Sequence, residues 1–223
     1  MSYPTQRHSA LKRRILQLHE SSYLSLMSIV QGVALSFLAF TIYEFRAGYG
    51  VAEWLQSLTA LLLIIVVWNE YVVGVASFVW IPNLLDAALP FLLCVAELLL
   101  AATISGHMHH WYTALATFGA MSMVAFLNMY WQARQFVEND STMQALGALS
   151  AVSMLLVMGI TLQAGLFALA SYYLSSWVFP VMTLLAITAY LIRTIVYWER
   201  VKGAAMLTRR KTGCAGVESH KVV

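Results

Sequence analysis

The chain has 223 residues, of which 61% are hydrophobic and 10% are charged, and its mean hydropathy is +0.73. A soluble domain has about a quarter of its residues charged, so this composition excludes a water-soluble globular protein and predicts an integral membrane protein. The formal net charge of +3 comes from basic residues near the two ends of the chain. That placement indicates membrane topology rather than a nucleic-acid-binding groove, and we expect no nucleic-acid partner.

Six apolar runs are long enough to cross the membrane as helices. A helix rises about 1.5 Å per residue and the hydrocarbon layer is about 30 Å thick, so one crossing needs about 20 residues. In chain order the predicted crossings are Tyr23–Tyr43, Trp54–Trp80, Leu84–Ile104, Trp111–Trp131, Leu146–Tyr172 and Trp177–Trp198.

The predicted fold class is therefore all-α, a polytopic membrane protein in three parts. Residues 1–22 form an N-terminal segment, residues 23–198 the six-helix transmembrane domain, and residues 199–223 a basic tail. The first seven residues and the stretch after Leu207 are polar and lack periodicity, which predicts disorder at both ends.

The distribution of lysine and arginine predicts the orientation, because basic residues resist translocation. With six crossings and the N-terminus inside, the external loops contain only Arg46, whereas Arg134 and the other basic residues fall on the cytoplasmic side. Both termini are therefore expected in the cytoplasm. Cys94 in an apolar run and Cys214 in the tail cannot share an oxidising compartment, so we expect no structural disulfide.

Tryptophans mark the ends of three predicted crossings, as expected of amphipathic rings anchored at the two headgroup layers. They stand at Trp54 and Trp80, Trp111 and Trp131, and Trp177 and Trp198.

The first crossing carries small residues at a spacing of three or four, which places them on one helix face. Such a row favours close packing against another helix, or it lines a narrow conduit in an oligomer. Gln31 lies beside the row and needs a polar partner or water. The candidate pore-lining residues are Ser25, Ser28, Gln31, Gly32, Ser36 and Ala39.

Charged residues inside the predicted crossings are costly in hydrocarbon and therefore point to a functional site. Glu70 lies about 15 Å and Glu97 about 20 Å from the inner ends of their crossings. Asp86 and Glu97 share one face of the third crossing, and Pro90 between them leaves the carbonyl of Asp86 without its helical donor. Three hypotheses stay open: Glu70 or Asp86 neutralises Arg193, the acids conduct protons or cations, or burial keeps them protonated.

Two other motifs carry weaker signals. Trp68-Asn69-Glu70-Tyr71 places polar groups at mid-membrane, where they must face protein or a water-filled cavity. His107, His109 and His110 offer ligands for copper or zinc, but the loop has no matching carboxylate or cysteine, so we expect no metal or other cofactor. No hydrolytic motif is present, and we expect no enzyme activity.

Residues 20–200 resemble the transmembrane protein 175 family of six-helix potassium channels. The resemblance rests on the small-residue first helix, the polar Trp68-Asn69-Glu70-Tyr71 segment, a tight turn and a third helix with a central proline. The family signature of Arg followed by Phe-Ser-Asp is absent, and Ile29-Val30-Gln31-Gly32-Val33 stands in its place. The resemblance implies a homotetramer in a bacterial inner membrane, conducting potassium along a pore lined by the first helix.

The favoured hypothesis is an oligomeric cation channel or transport subunit whose first helix lines the conduit. The alternative is a non-conducting membrane scaffold or sensor, for example in stress or phage defence, whose basic tail docks a cytoplasmic protein or anionic lipid.

Overall fold

The computed structural model describes residues 4–78, 83–135, 140–174 and 176–218, with side chains described for 22–75, 77–78, 83–135, 151–174, 176–197 and 199–200. Over these residues the chain forms six α-helices and one 3-10 turn at Arg46–Gly48. The helices are α1 Pro4–Phe45, α2 Val51–Ser77, α3 Leu84–Ala102, α4 Met108–Ala133, α5 Asp140–Ala170 and α6 Val178–Glu218.

All six helices contain a segment that is long and apolar enough to cross a bilayer. The chain is therefore an integral membrane protein that contacts lipid. Large apolar side chains cover its outer surface, as on α5, where Leu162, Leu166 and Leu169 are each at least 61% exposed. Such a surface is stable in hydrocarbon and unstable in water.

The structure differs from the sequence prediction at both ends of the chain. α1 already begins at Pro4 and α6 continues to Glu218, although both stretches were expected to lack regular structure. Proline is well suited to the first turn of a helix, and no proline after Pro180 interrupts α6. The scaffold hypothesis depends on basic residues of the tail whose side chains are outside the described ones, namely Arg209, Arg210 and Lys211.

Local polar groups define where two of the crossings begin. The backbone N–H of Gly50 donates to Glu53 Oε2 at 2.9 Å, which holds the first turn of α2. At α3, Asn83 and Asp86 form a capping box in which each side chain accepts from the other's backbone N–H. The acidic residue at α3 is therefore also a structural part of the helix start.

The helices pack in a closed ring in the order α1, α3, α4, α5, α6, α2, with α2 returning to α1. Many of the fully buried large side chains belong to α1, α3, α4 or the α3–α4 connection. They include Met27, Leu38, Leu100, Ile104, Trp111, Tyr112 and Leu115.

Trp111 departs from the predicted interfacial belt. Its side chain has no exposed surface and packs edge to face against Tyr112, with ring centroids 5.0 Å apart. α4 begins three residues earlier than the tryptophan pattern predicted, so Trp111 lies inside the helix, where it belongs to the buried core. Trp54, Trp131 and Trp177 are exposed as predicted, whereas the side chains of Trp80 and Trp198 are outside the described residues.

Candidate functional site

The row of small residues on α1 faces away from the rest of the chain. A side chain added at Gly32 would meet nothing within 4 Å, and the hydroxyl of Ser28 is satisfied within its own helix by Leu24 at 2.9 Å. No described helix of this chain covers the row, so the face is available to lipid or to another copy. Its exposed members are Ser25, Ser28, Gly32, Ser36 and Ala39.

Gln31 points the other way, into the protein, where only 5% of it is exposed. It lies beside Glu97 of α3, which is 2% exposed. None of the side-chain oxygen and nitrogen atoms of these two residues makes a hydrogen bond of standard geometry to a described residue. Gln31 and Glu97 therefore form a buried polar pair whose side-chain donors and acceptors are unsatisfied by the described residues.

Asp86 is the centre of a hydrogen-bonded cluster between α3 and α4, here called the Asp86 cluster. Its Oδ2 accepts from the backbone N–H of Asn83 at 2.9 Å and from Gln132 Nε2 at 2.8 Å. Its Oδ1 accepts from Asn128 Nδ2. With several donors around it and 5% exposure, the carboxylate is compatible with burial because its lone pairs are satisfied.

The carbonyl of Asp86 has a side-chain donor because Pro90 cannot supply one. Proline has no backbone N–H, so the helical bond from position 90 to position 86 is missing. The hydroxyl of Tyr23 on α1 donates to the Asp86 carbonyl at 3.4 Å. A hydrogen bond from α1 thus replaces the missing backbone hydrogen bond of α3 and links these two helices.

Glu70 on α2 is held by α6, in what we call the Glu70 cluster. Its Oε1 accepts from the hydroxyls of Tyr190 at 3.0 Å and Thr194 at 2.9 Å. Both bonds end on Oε1, so Oε2 has no hydrogen-bond partner among the described residues. Glu70 is only half-buried, and it lines both of the cavities described below.

Arg193 does not form the direct ion pair that one sequence hypothesis proposed. Its Nη1 donates to the hydroxyl of Ser153 on α5, and its guanidinium carbon lies 5.9 Å from the ring centroid of Tyr197. Its Nε and Nη2 have no hydrogen-bond partner among the described residues, although Arg193 is close enough to act electrostatically on Glu70. A cavity of about 20 Å³ borders both residues and is large enough for one water molecule.

A larger cavity of about 110 Å³ occupies the middle of the helix ring, and all six helices contribute to its wall. Glu70 and Asp86 both line it, together with the aromatic rings of Tyr23, Tyr71 and Tyr190. Most of the remaining wall is aliphatic. The structure thus brings two of the predicted intramembrane acids to one chamber, while Glu97 lies outside its wall.

The histidines His107, His109 and His110 cluster at the start of α4. The rings of His109 and His110 are 3.9 Å apart, and His109 stacks on Tyr172 with centroids 4.3 Å apart. Among the described residues no group of three or more histidine, cysteine, aspartate or glutamate side chains is placed to hold a metal ion.

Sequence reasoning missed the partners of the acids. The amides Asn128 and Gln132 lie one helical turn apart on α4, and Tyr190 and Thr194 have the same spacing on α6. The available signal was this spacing of four, which places two polar groups on one face of an otherwise apolar helix. Uncharged residues of this kind are common in membrane helices, so the signal was weak beside the acids.

Comparisons with protein-family models, with curated proteins and with solved structures find no significant match for this chain. The inference of function therefore rests on the geometry of the two clusters and the cavity.

Proposed function

We propose that this integral membrane protein transports a cation across the bilayer and that the central cavity is its binding chamber. The observation that carries the proposal is that Glu70 and Asp86 line one cavity inside a ring of membrane-spanning helices. Carboxylates within a membrane are costly unless they face a polar pathway or a partner, and they are typical of cation and proton routes. Glu70 Oε2, which accepts no hydrogen bond from a described residue, gives the chamber an acceptor for a cation.

The exposed row on α1 supports association of several copies as part of the same proposal. Small residues let two helices approach closely, and no described part of this chain covers Gly32 or Ser36. In an oligomer that meets through this row, the first helix would line an additional conduit between copies. The proposal therefore contains two candidate routes, one within each chain and one between chains.

Flux measurements in proteoliposomes test the proposal. Purified protein should carry inorganic cations down an imposed gradient, and Glu70→Gln should lower the rate several-fold because it removes the chamber's charged acceptor. Glu44→Gln is the matched control, since Glu44 is exposed at the end of α1 and remote from the cavity. Flux equal to that of empty vesicles under several ion gradients would contradict the proposal.

A second variant separates the two routes. Ser36→Leu places a bulky side chain on the exposed face of α1 and leaves the cavity unchanged, because Ser36 does not line it. Loss of flux in Ser36→Leu with normal flux in Glu70→Gln would assign transport to the route between copies. The opposite pattern would assign it to the chamber within each chain.

A further inference from the structure

The wall of the central cavity is better suited to an organic cation than to a bare inorganic one. Such ions are bound where a shell of oxygen atoms replaces their water, as in rings of carbonyls or carboxylates. Here two acids belong to a wall made mainly of aliphatic and aromatic side chains, including Leu93, Leu115, Phe118 and Ile187. An ion without an apolar part would therefore bind here only weakly and keep part of its hydration shell.

The same wall suits a cation that carries its own apolar body. The Oε2 atom of Glu70 can accept a charge-assisted hydrogen bond from an ammonium group. The rings of Tyr71, Phe126 and Tyr190 also line the chamber, and aromatic faces attract cations within about 6 Å. An alkyl chain attached to the ammonium group would then be buried against the aliphatic wall.

The volume of the chamber sets the size of the ligand. At about 110 Å³ it is smaller than a cavity of roughly 150 Å³, the size that accommodates benzene. A short linear alkyl chain is contained in this volume, whereas a long chain extends beyond it and gains no further contact with the wall.

We infer that the central cavity binds a short primary alkylammonium ion, with the ammonium group on Glu70 and the alkyl chain against the aliphatic wall. The inference rests on the proposed transport function and names the substrate class of its chamber.

Calorimetric titration of the full-length protein in detergent tests binding directly. The ligands are ethyl-, butyl- and octylammonium chloride, with 1-butanol and potassium chloride as neutral and inorganic controls. Butylammonium should bind more tightly than the shorter and the longer ion, and at least about tenfold more tightly than 1-butanol, which lacks the charge-assisted bond. An affinity that rises steadily up to octylammonium would show partitioning into detergent and would overturn the inference.

Variants locate the binding site. Glu70→Gln should weaken butylammonium binding about tenfold, and the control Glu44→Gln should leave it unchanged. Equal binding by both variants would overturn the inference. The chain-length series on the unmodified protein provides the test if Glu70→Gln does not fold.

Competition in proteoliposomes distinguishes failure of this inference from failure of the transport function. Butylammonium should inhibit inorganic cation flux at concentrations near its measured dissociation constant. If the protein shows Glu70-dependent cation flux, but butylammonium neither inhibits this flux nor is itself transported, the inference is overturned and the transport function stands. Butylammonium binding without flux of any cation would support the binding site and overturn transport.

Discussion

Gly119 on α4 is a point of close approach to α5. A Cβ atom built on Gly119 would lie 2.2 Å from Oγ1 and 3.0 Å from Cβ of Thr161. A side chain therefore fits there only if Thr161 changes its rotamer, losing its hydrogen bond to the Val157 carbonyl, or if the two helices separate. Gly119→Ala should lower the free energy of unfolding by about 1–2 kcal/mol, because overpacking outweighs the gain in helix propensity. Thermal or denaturant unfolding in detergent measures the change.

Gly159→Ala is the matched control on the facing helix. An added Cβ at Gly159 meets nothing within 4 Å, so this variant should be as stable as the unmodified protein or slightly more stable. Equal stability of the two variants would show that α4 and α5 do not pack as closely at Gly119 as described.

Buried charge is the residue-scale feature that could be predicted from the sequence. Glu70, Asp86 and Glu97 stand out because ionised groups are rare in apolar runs. Apart from the capping box with Asn83, their surroundings could not be predicted, since the side-chain donors to the Asp86 and Glu70 carboxylates come from residues 42 to 124 positions further along the chain. Nothing local in the sequence tells which uncharged hydroxyl or amide will face a given carboxylate.

At the scale of the element, α3 is weakened at Pro90 and supported from α1. Tyr23→Phe removes the hydroxyl that bonds to the Asp86 carbonyl but keeps the ring that contacts Tyr71 at 5.6 Å. Because the bond is long, at 3.4 Å, we expect a loss of less than about 1 kcal/mol in the free energy of unfolding.

A double-mutant cycle isolates this bond from the other contacts of Tyr23. Pro90→Ala restores a backbone N–H that can donate to the Asp86 carbonyl, so the cost of Tyr23→Phe should shrink by roughly 0.5 kcal/mol in that background. The measurement is the unfolding free energy of the four proteins. An equal cost in both backgrounds would contradict the role assigned to the hydroxyl.

The number and centres of the helices could be predicted from run length, because the bilayer imposes one minimum length on every crossing. The residues at which the helices begin and end could not be predicted in this way. α4 begins at Met108 rather than Trp111, since tryptophan is equally stable at an interface and in a protein core. The ring order α1, α3, α4, α5, α6, α2 was also beyond the sequence, because it depends on how apolar faces of similar composition fit together.

At the scale of the whole molecule, the predicted orientation can be tested with cysteine labelling. A membrane-impermeant maleimide added to intact cells should label a Ser105→Cys, Cys214→Ser variant, because Ser105 is exposed in the predicted external turn after α3. In the unmodified protein Cys214 should react only after the cells are opened, and Cys94 should not react because it is buried. Labelling of Cys214 in intact cells would show that the C-terminus is outside and would contradict the predicted orientation.

Oxidative cross-linking tests whether the α1 row joins copies. In a Cys214→Ser background, Ser36→Cys should form covalent dimers in native membranes. Leu38→Cys should not, since Leu38 lies on the same helix but is 1% exposed and faces inward. Equal cross-linking of the two variants, or none for Ser36→Cys, would contradict association through this face.

The bonds to Glu70 also bear on how the protein is made. Tyr190 and Thr194 follow Glu70 by 120 and 124 residues. At about 5–20 residues per second, the ribosome needs roughly 6–24 s to synthesise those partners after Glu70. During that interval the Glu70 carboxyl group of the nascent second helix lacks its partners on α6, so the insertion machinery or water has to supply its hydrogen bonds. A chain terminated before α6 would keep that group without Tyr190 and Thr194, which gives membrane quality control a feature by which to recognise and degrade it.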